Sequence, residues 1–262
     1  MNIVTTGDSG FFHCLVELAK NVKKFYNKQL IVYDVGLTGE QHRSLDAHVI
    51  KIDIDVDFSS YTTFQNVPFI QATHKPFCVS HYFKNYSEPM IFVDADCLFT
   101  EKVEETGFDI GVTLKPRKNI DISNHFTGIL NAGVIFFNAS ATQLVDKWAD
   151  ECRKPGTTDQ KALSEILSET IDWKHYNKTY DWHGLKIKVF KTDDYNDYYL
   201  RNGKIFHFKG ERHREDIYKE LVSAMERDVG LYRLFEQITN KPKWFLPKLL
   251  AKYFPRETRQ DI

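Results

Sequence analysis

Residues 90–99, "MIFVDADCLF", decide the fold prediction. A run of strand-forming apolar residues leads directly into Asp94 and Asp96, which are separated only by the small Ala95. Inside a strand these two carboxylates would share one face, where burial without a partner is costly. At the end of a strand, in a loop, the same two groups can converge on a cation. We therefore predict a buried strand that ends just before Asp94 and a loop that carries both carboxylates.

Strand-like and helix-like segments alternate along the rest of the chain. The strand-like segments are residues 2–6, 29–35, 48–58, 89–93, 108–114, 131–138, 185–190 and 204–208. The helix-like segments, with apolar residues at helical spacing, are 11–25, 72–86, 141–152, 158–167 and 214–236. This alternation predicts an α/β fold in three layers, with a mixed, mainly parallel central sheet covered on both faces.

Composition narrows the class of protein. The 262 residues are 42% hydrophobic, which is enough for one large domain with a substantial core. The 35 basic and 36 acidic residues nearly cancel, so we expect no nucleic-acid partner. Four scattered cysteines without a C-x-x-C pair favour a reducing compartment. No signal peptide or apolar stretch of about 18–20 residues is visible, and we expect a cytoplasmic protein.

Two further segments carry residues suited to binding a phosphorylated ligand. In open α/β sheets ligands bind beyond the carboxyl ends of the strands, which puts the turn "TTGDSG" (residues 5–10) on the same rim as Asp94 and Asp96. The later stretch "HFKGERHR" places His207, Gly210 and His213 at H-x-x-G-x-x-H spacing after a short strand. A histidine there can complete a metal shell, and the glycine lets backbone approach a phosphate closely.

An acidic pattern elsewhere has a simpler interpretation. Asp53, Asp55 and Asp57 alternate strictly with apolar residues. That alternation predicts a strand with one solvated face more readily than a second metal site.

The segments "FVDADCLF", "NAGVIFFN", "TTDQKAL" and "HFKG" resemble, in order and rough spacing, the GT-A glycosyltransferases. The likeness is strongest to the family that contains glycogenin and the bacterial lipooligosaccharide galactosyltransferases, together with related nucleotide-diphospho-sugar transferases. It covers roughly residues 1–219. The resemblance implies a GT-A (Rossmann-like) fold and transfer of a sugar, with retention at the anomeric carbon, from a nucleotide-sugar such as a UDP-sugar.

The same resemblance implies a set of site residues. Asp94, Asp96 and His207 match the ligands of Mn²⁺ or Mg²⁺. The residues that match donor-binding positions are Thr6, Asp8, Lys75, Asp94, Ala95, Ala132, Gly133, Gly210 and His213. The residues that match positions at the donor sugar, where the chemistry takes place, are Asn131, Asp159 and Gln160.

Two departures from the family pattern stand out. His213, flanked by Arg212 and Arg214, occupies the position where the family has a lysine that contacts the diphosphate. Gln160 also has a local explanation, because Thr157 and Gln160 have the T-x-x-Q spacing of a helix capping box.

Two other functions compete with this interpretation. A haloacid-dehalogenase-type phosphatase would use Asp94 as its nucleophile and take further metal-binding acids from Asp193, Asp194 and Asp197. Leu98 and the position of the motif far from the N-terminus argue against it. A non-catalytic sugar-binding module is the second competitor, and it would not hydrolyse a sugar donor.

The C-terminal residues 241–262 differ in character from the predicted domain at 1–240. They carry six basic and two acidic side chains, and their apolar residues cluster at helical spacing: Trp244, Phe245, Leu249, Leu250, Tyr253 and Phe254. Basic amphipathic helices of this kind lie in membrane interfaces, although a final helix packed on the domain has the same pattern. We expect peripheral contact with the inner face of the cell membrane, which suits a glycan or lipid-linked glycan acceptor.

Overall fold

The computed structural model describes residues 1–54, 56, 63–64, 67–68, 74–115, 128–154, 157–172, 175, 177–196, 203–208 and 215–227. Two predicted site residues, Gly210 and His213, lie outside the described residues. So do Asp55, Asp57, Asp197 and the whole C-terminal segment 241–262.

The described residues form twelve strands, several of them very short. They are β1 Asn2–Gly7, β2 Ile31–Asp34, β3 His48–Lys51, β4 Thr63–Phe64, β5 Val67–Pro68, β6 Met90–Val93, β7 Cys97–Phe99, β8 Ile110–Leu114, β9 Leu130–Phe137, β10 Lys178–Trp182, β11 Leu185–Phe190 and β12 Ile205–His207. β6 ends immediately before Asp94, which confirms the boundary expected from the opening stretch.

Eight strands form the central sheet in the order β10-β11-β8-β9-β6-β1-β2-β3. Four neighbouring pairs run parallel (β1 with β2, β1 with β6, β2 with β3, β8 with β11), and three run antiparallel. The predicted mixed, mainly parallel sheet is therefore confirmed. β1 has β2 on one side and β6 on the other, which creates the change of direction where such sheets bind ligands.

Seven α-helices lie among the described residues. They are α1 Phe12–Tyr26, α2 Gly39–Ser44, α3 Lys75–Asn85, α4 Thr142–Cys152, α5 Asp159–Leu167, α6 Thr192–Tyr195 and α7 Glu215–Arg227. α5 begins after Thr158, whose hydroxyl accepts a hydrogen bond from the Lys161 amide at 3.2 Å. The capping box expected from Thr157 and Gln160 was therefore wrong, because the residue one further along caps the helix.

Apolar side chains are buried on both faces of the sheet. One core packs α1 and α7 against the sheet, with Leu15 and Leu221 among its buried residues. The other packs α3, α4 and α5 against the opposite face, with Tyr82 and Trp148 fully buried. The three predicted layers follow from this arrangement, since an apolar sheet face must be covered on each side. All four cysteines are buried and free of disulfides.

Three features of the fold differ from the pattern-based expectation. The third strand ends at Lys51, so the exposed Asp53 lies beyond it rather than within a strand as we had expected. β7 and β10 were not expected; β7, only three residues long, pairs with β12 in a separate two-stranded sheet. A strand as short as β7 leaves no periodic signal in the sequence.

Among the described residues, no helix combines the length and the apolar character needed to cross a membrane.

Candidate functional site

The pairing of β7 with β12 brings the late histidine to the two carboxylates. His207 lies opposite Cys97 in this antiparallel pair, and the Phe208 amide donates to the Asp96 carbonyl at 2.9 Å. Asp94 is held at the end of β6, where its amide donates to the Gly133 carbonyl of β9 at 2.8 Å. Three chain segments that are far apart in sequence thus meet at one edge of the central sheet.

The side chains of this cluster face one another at close range. His207 Nε2 lies 3.2 Å from Asp96 Oδ1 and 3.6 Å from Asp94 Oδ2. Asp96 and His207 are nearly fully buried, whereas the side chain of Asp94 keeps 27% of its surface exposed. The structure therefore brings together the three residues predicted as metal ligands, with one side of the cluster open to solvent.

Gly133 provides the room for this cluster. A Cβ at this position would lie 2.6 Å from the His207 ring and 3.1 Å from Asp94 Oδ2. Distances that short do not occur between real atoms without displacement, so any larger residue would push the ring or the carboxylate away. Gly133 was predicted as a donor contact, and the structure places it directly against the His207 ring.

Lys75 lies inside the protein rather than at a solvent-facing surface. Its side chain is only 7% exposed, with Nζ 2.6 Å from Asp94 Oδ1 and 3.2 Å from Asp159 Oδ2. Nζ also donates to the Ala132 carbonyl at 3.0 Å. Burial lowers the pKa of Lys75, but the charges of Asp159 and Asp94 outweigh it and hold the pKa above its ordinary value.

Asp159 and Gln160 lie at the start of α5 and face β9. Asp159 is 3% exposed, and burial raises the pKa of its carboxyl, although the Lys75 ammonium offsets part of that effect. Gln160 Oε1 accepts a hydrogen bond from the Ala132 amide at 3.1 Å. Asn131 Oδ1 accepts one from the Gly133 amide at 3.2 Å. The predicted residues of β9 and α5 therefore lie next to one another and beside the carboxylates. They are Asn131, Ala132, Gly133, Asp159 and Gln160.

A pocket of about 350 Å³ lies at the carboxyl ends of β2 and β3. It is lined by Asp34, Val35, Gly36, Leu37, Lys51, Ile52, Ile54 and His74. Asp34 shapes its wall by accepting from the Gly36 and Leu37 amides at 2.9 and 2.7 Å and from His42 at 2.9 Å. Burial opposes the ionised form, but these hydrogen bonds outweigh it and lower the pKa of Asp34. Sequence reasoning did not identify this pocket, because its lining comes from strand ends and loops without a motif.

The "TTGDSG" turn lies beside this pocket. The Ser9 amide donates to the Gly36 carbonyl at 3.0 Å, and Asp8 accepts from the Gly10 and Phe11 amides at 2.9 and 3.2 Å. The charge of Asp8 also acts on His74 in the pocket wall. Thr6 is half-buried in β1, one residue before its end, and is not among the residues that line the pocket.

Distances alone would select Cys97, rather than Asp94, as the third metal ligand beside Asp96 and His207. The ligand atoms of Asp96, Cys97 and His207 lie within 4.8 Å of one another. However, the Cys97 thiol donates to the Gly133 carbonyl at 3.6 Å, and burial together with the nearby carboxylates raises its pKa well above the ordinary value. A protonated thiol is a poor ligand for hard cations, which prefer oxygen. Asp94 Oδ2 is the more suitable partner.

The fold is that of a GT-A-type, Rossmann-like domain. The structure is similar to that of the galactosyltransferase LgtC in complex with donor and acceptor sugar analogues, with a TM-score of 0.57 and 14% identity over 86% of this chain and 96% of that one. It is also similar to a glycosyltransferase involved in glycosylation of the major capsid of PBCV-1, with a TM-score of 0.52 and 8% identity over 82% and 97% of the two chains. A third similar structure is the glycosyltransferase GlyE of Streptococcus pneumoniae TIGR4, with a TM-score of 0.50 and 12% identity over 83% and 60%.

These similarities confirm the predicted fold. The sequence itself matches no protein-family model and no curated protein. The phosphatase alternative is not favoured, because the similar structures are glycosyltransferases.

Proposed function

We propose that the protein is a metal-dependent glycosyltransferase that moves a sugar from a nucleotide-sugar to a glycan or lipid-linked glycan acceptor. The observation that carries this proposal is the convergence of Asp94, Asp96 and His207 at the ligand-binding edge of the sheet. That convergence occurs in a fold shared with known glycosyltransferases. The resemblance in sequence motifs further suggests a UDP-sugar donor and retention at the anomeric carbon.

The residues present fit a divalent cation such as Mn²⁺ or Mg²⁺. His207 Nε2 lies 3.2 Å from an Asp96 oxygen and 3.6 Å from an Asp94 oxygen, and hard carboxylate oxygens suit these ions. Asp94, Asp96 and Asp159 bring three negative charges and Lys75 brings one positive charge. The remaining two negative charges match a divalent ion.

Lys75 has a defined part in this arrangement. It holds Asp94 Oδ1 at 2.6 Å, which leaves Oδ2 directed towards His207 Nε2. We infer that Lys75 orients the first carboxylate and balances its charge, in place of the direct donor contact expected from the motif.

The pocket at β2 and β3 suits the nucleoside of the donor. It lies on the same rim as Asp94, and the Asp8 turn and His74 border it. A nucleoside there would direct its diphosphate along the rim towards Asp94 and Asp96. We propose the pocket as the nucleoside subsite, with Asp8 at its edge and Thr6 further along β1.

The chemistry follows from charge development on the leaving group. Breaking the bond between the anomeric carbon and oxygen places negative charge on the departing nucleoside diphosphate, and a bound divalent ion stabilises that charge. Asn131 and Gln160 hold the Gly133 and Ala132 amides and so shape the strand beneath the proposed sugar position. Asp159 lies beside them, paired with Lys75. Gly210 and His213 are proposed diphosphate contacts on the sequence pattern alone.

Substitution of one proposed ligand tests the function. We expect Asp96→Asn to abolish Mn²⁺-dependent hydrolysis and transfer of a UDP-sugar, while the thermal melting curve stays cooperative. The matched control is Asp53→Asn, since Asp53 is exposed and outside the cluster. Both reactions can be followed by release of UDP. Near-normal metal-dependent turnover by Asp96→Asn would refute the proposal, and wild-type protein that binds donor but never hydrolyses it would favour the sugar-binding module instead.

A membrane-bound acceptor would explain the basic amphipathic segment 241–262. Contact of that segment with anionic lipid stays a prediction from the sequence.

A further inference from the structure

Asn196 follows α6 and lies directly behind the proposed metal ligand His207. Its side chain is completely buried, and its Oδ1 lies 2.8 Å from His207 Nδ1. On the other side, Asn196 Nδ2 donates to Thr113 Oγ1 at 3.3 Å. Neither Asn196 nor Thr113 was predicted as a site residue from the sequence.

The donor and the acceptor of each hydrogen bond in this series can be assigned by starting from the Asn131 carbonyl, at the end opposite His207. Thr113 Oγ1 lies 3.2 Å from the Asn131 carbonyl oxygen, which can only accept, so the hydroxyl donates to it. The same hydroxyl oxygen then accepts from the Asn196 amide group, and this leaves Asn196 Oδ1 facing the imidazole. Because Oδ1 can only accept, His207 Nδ1 must carry the proton.

This tautomer has a direct consequence for the proposed metal site. With the proton on Nδ1, Nε2 is the ring nitrogen whose lone pair is available to a cation, and it faces Asp96 Oδ1 at 3.2 Å and Asp94 Oδ2 at 3.6 Å. A cation placed between these three groups would be attracted by both carboxylates and by the lone pair. The hydrogen-bond chain therefore holds the imidazole in the form that binds a metal.

The same series of hydrogen bonds also reaches Gly133, which lies against the His207 ring. Asn131, which accepts from Thr113 through its carbonyl, accepts from the Gly133 amide through its side chain. Gly133 is the residue whose missing Cβ leaves space for the ring. One buried network thus controls both the proton on His207 and the space that its ring occupies.

We propose that Asn196, oriented by Thr113, is the positioning residue that keeps His207 in the Nδ1-protonated tautomer and directs Nε2 at the two carboxylates. The metal part of this inference rests on the proposed function, whereas the tautomer does not. Partners that orient a ligating histidine typically affect metal affinity about 10–100-fold when removed.

The first experiment reads the tautomer without metal. Long-range ¹H–¹⁵N NMR of the metal-free protein, with the His207 signals assigned by their loss in His207→Gln, should show Nδ1 protonated in the wild type. In Asn196→Leu the Nε2-protonated form should appear. Asn196→Asp keeps the acceptor oxygen and should retain the wild-type tautomer. Asn85→Leu is the control, because Asn85 contacts the His81 ring on the surface.

The second experiment measures Mn²⁺ binding by the electron paramagnetic resonance of the free ion. Asn196→Leu should weaken binding about 10–100-fold, and Asn196→Asp should bind nearly as tightly as the wild type. Thr113→Val should weaken binding, and the conservative Thr113→Ser should restore it, so the test survives if Asn196→Leu fails to fold.

The outcomes separate the two claims. A wild-type His207 that carries its proton on Nε2 and none on Nδ1, or equal loss of Mn²⁺ affinity in Asn196→Leu and Asn196→Asp, would overturn the role of Asn196. The expected tautomers without any Mn²⁺ binding by the wild type would support the positioning role and would overturn the proposed metal-dependent function.

Discussion

Lys75 illustrates how one buried charge organises the neighbouring residues. Its ammonium group lies between Asp94 and Asp159 and also donates to a backbone carbonyl. A buried ion pair is costly to break from one side, because the remaining charge is left without a partner. The residue therefore contributes to both the stability and the geometry of the site.

We expect Lys75→Met to destabilise the protein by roughly 3–5 kcal/mol, since it leaves two carboxylates without their buried counter-charge. Urea unfolding followed by circular dichroism measures the change. Lys20→Met is the matched control: Lys20 pairs with Glu17 at 62% side-chain exposure, and such surface pairs contribute about 0–1 kcal/mol. Equal stability of the two variants would contradict the buried role of Lys75.

Gly133 offers a second test at the same scale. In Gly133→Ala the new Cβ would lie 2.6 Å from the His207 ring, so the ring must move away from Asp94 and Asp96. We expect a stability loss of about 1–3 kcal/mol from overpacking, together with weaker Mn²⁺ binding.

Gly39→Ala is the matched control for that substitution. Its nearest neighbouring atom is the end of the Arg43 side chain at 3.4 Å, and Gly39 lies in the first turn of α2. Calorimetric melting should show little change there. If Gly133→Ala melted like Gly39→Ala and bound Mn²⁺ normally, the close contact with His207 would be disproved.

At the scale of elements, the N-terminus of α3 connects the pocket to the carboxylate cluster. His74 precedes the helix and lines the pocket, and Lys75 is the first residue of the helix. Burial lowers the pKa of His74 from 6.5 to about 4, so the folded protein keeps this side chain neutral. A shift of α3 would therefore alter both the proposed nucleoside subsite and the ion pair of Asp94.

This pKa predicts how stability depends on pH. Between pH 6.5 and about 4 the unfolded chain protonates His74 while the folded protein does not, so protons favour unfolding. Stability should therefore fall as the pH is lowered through this range, by at most about 1.4 kcal/mol per pH unit from this residue. His74→Asn should reduce the slope, as measured by urea midpoints at several pH values.

His183→Asn provides the control for the pH series. His183 is exposed and has φ of 50°, a conformation that asparagine also adopts readily. We expect this variant to keep the wild-type slope. A slope left unchanged by His74→Asn would show that His74 is not the buried titrating group.

At the scale of the whole molecule, the site is assembled from one side of the central sheet and from the small separate sheet of β7 and β12. The pocket lies at β2 and β3, the two carboxylates follow β6, and the histidine comes from β12. A nucleotide-sugar that spans these places would bind only to the folded protein, and ligands that bind only the folded state stabilise it.

Thermal melting should therefore report the two ligands acting together. We expect UDP with Mn²⁺ to raise the melting temperature by more than the sum of their separate effects, because the diphosphate and the protein share the ion. Saturation at about 100 times the dissociation constant contributes about 2.7 kcal/mol. Asp96→Asn should abolish the joint effect, and purely additive shifts in the wild type would argue against a shared site.

Local patterns in the sequence predicted most of the helices and strands and the residues at which several of them begin or end. The strand at Met90–Val93, the helices at Thr142–Cys152 and Asp159–Leu167, and the strand at Leu185–Phe190 agree closely with the predicted segments. Apolar periodicity is a property of a few consecutive residues, so it can be read without knowing the rest of the fold. The layered α/β architecture follows from the order of those elements.

Only the tertiary structure decided which side chains meet. His207 reaches Asp94 and Asp96 because the predicted strand β12 pairs with β7, a strand of three residues that is too short to leave a pattern. Asn196 and Thr113 come from different elements, and their hydrogen bonds exist only because a helix and two strands pack together. Lys75 was predicted to contact the donor, and only the position of α3 shows that its ammonium group also lies between Asp94 and Asp159. Distances between residues far apart in sequence depend on packing, and the local pattern of residues does not contain that information.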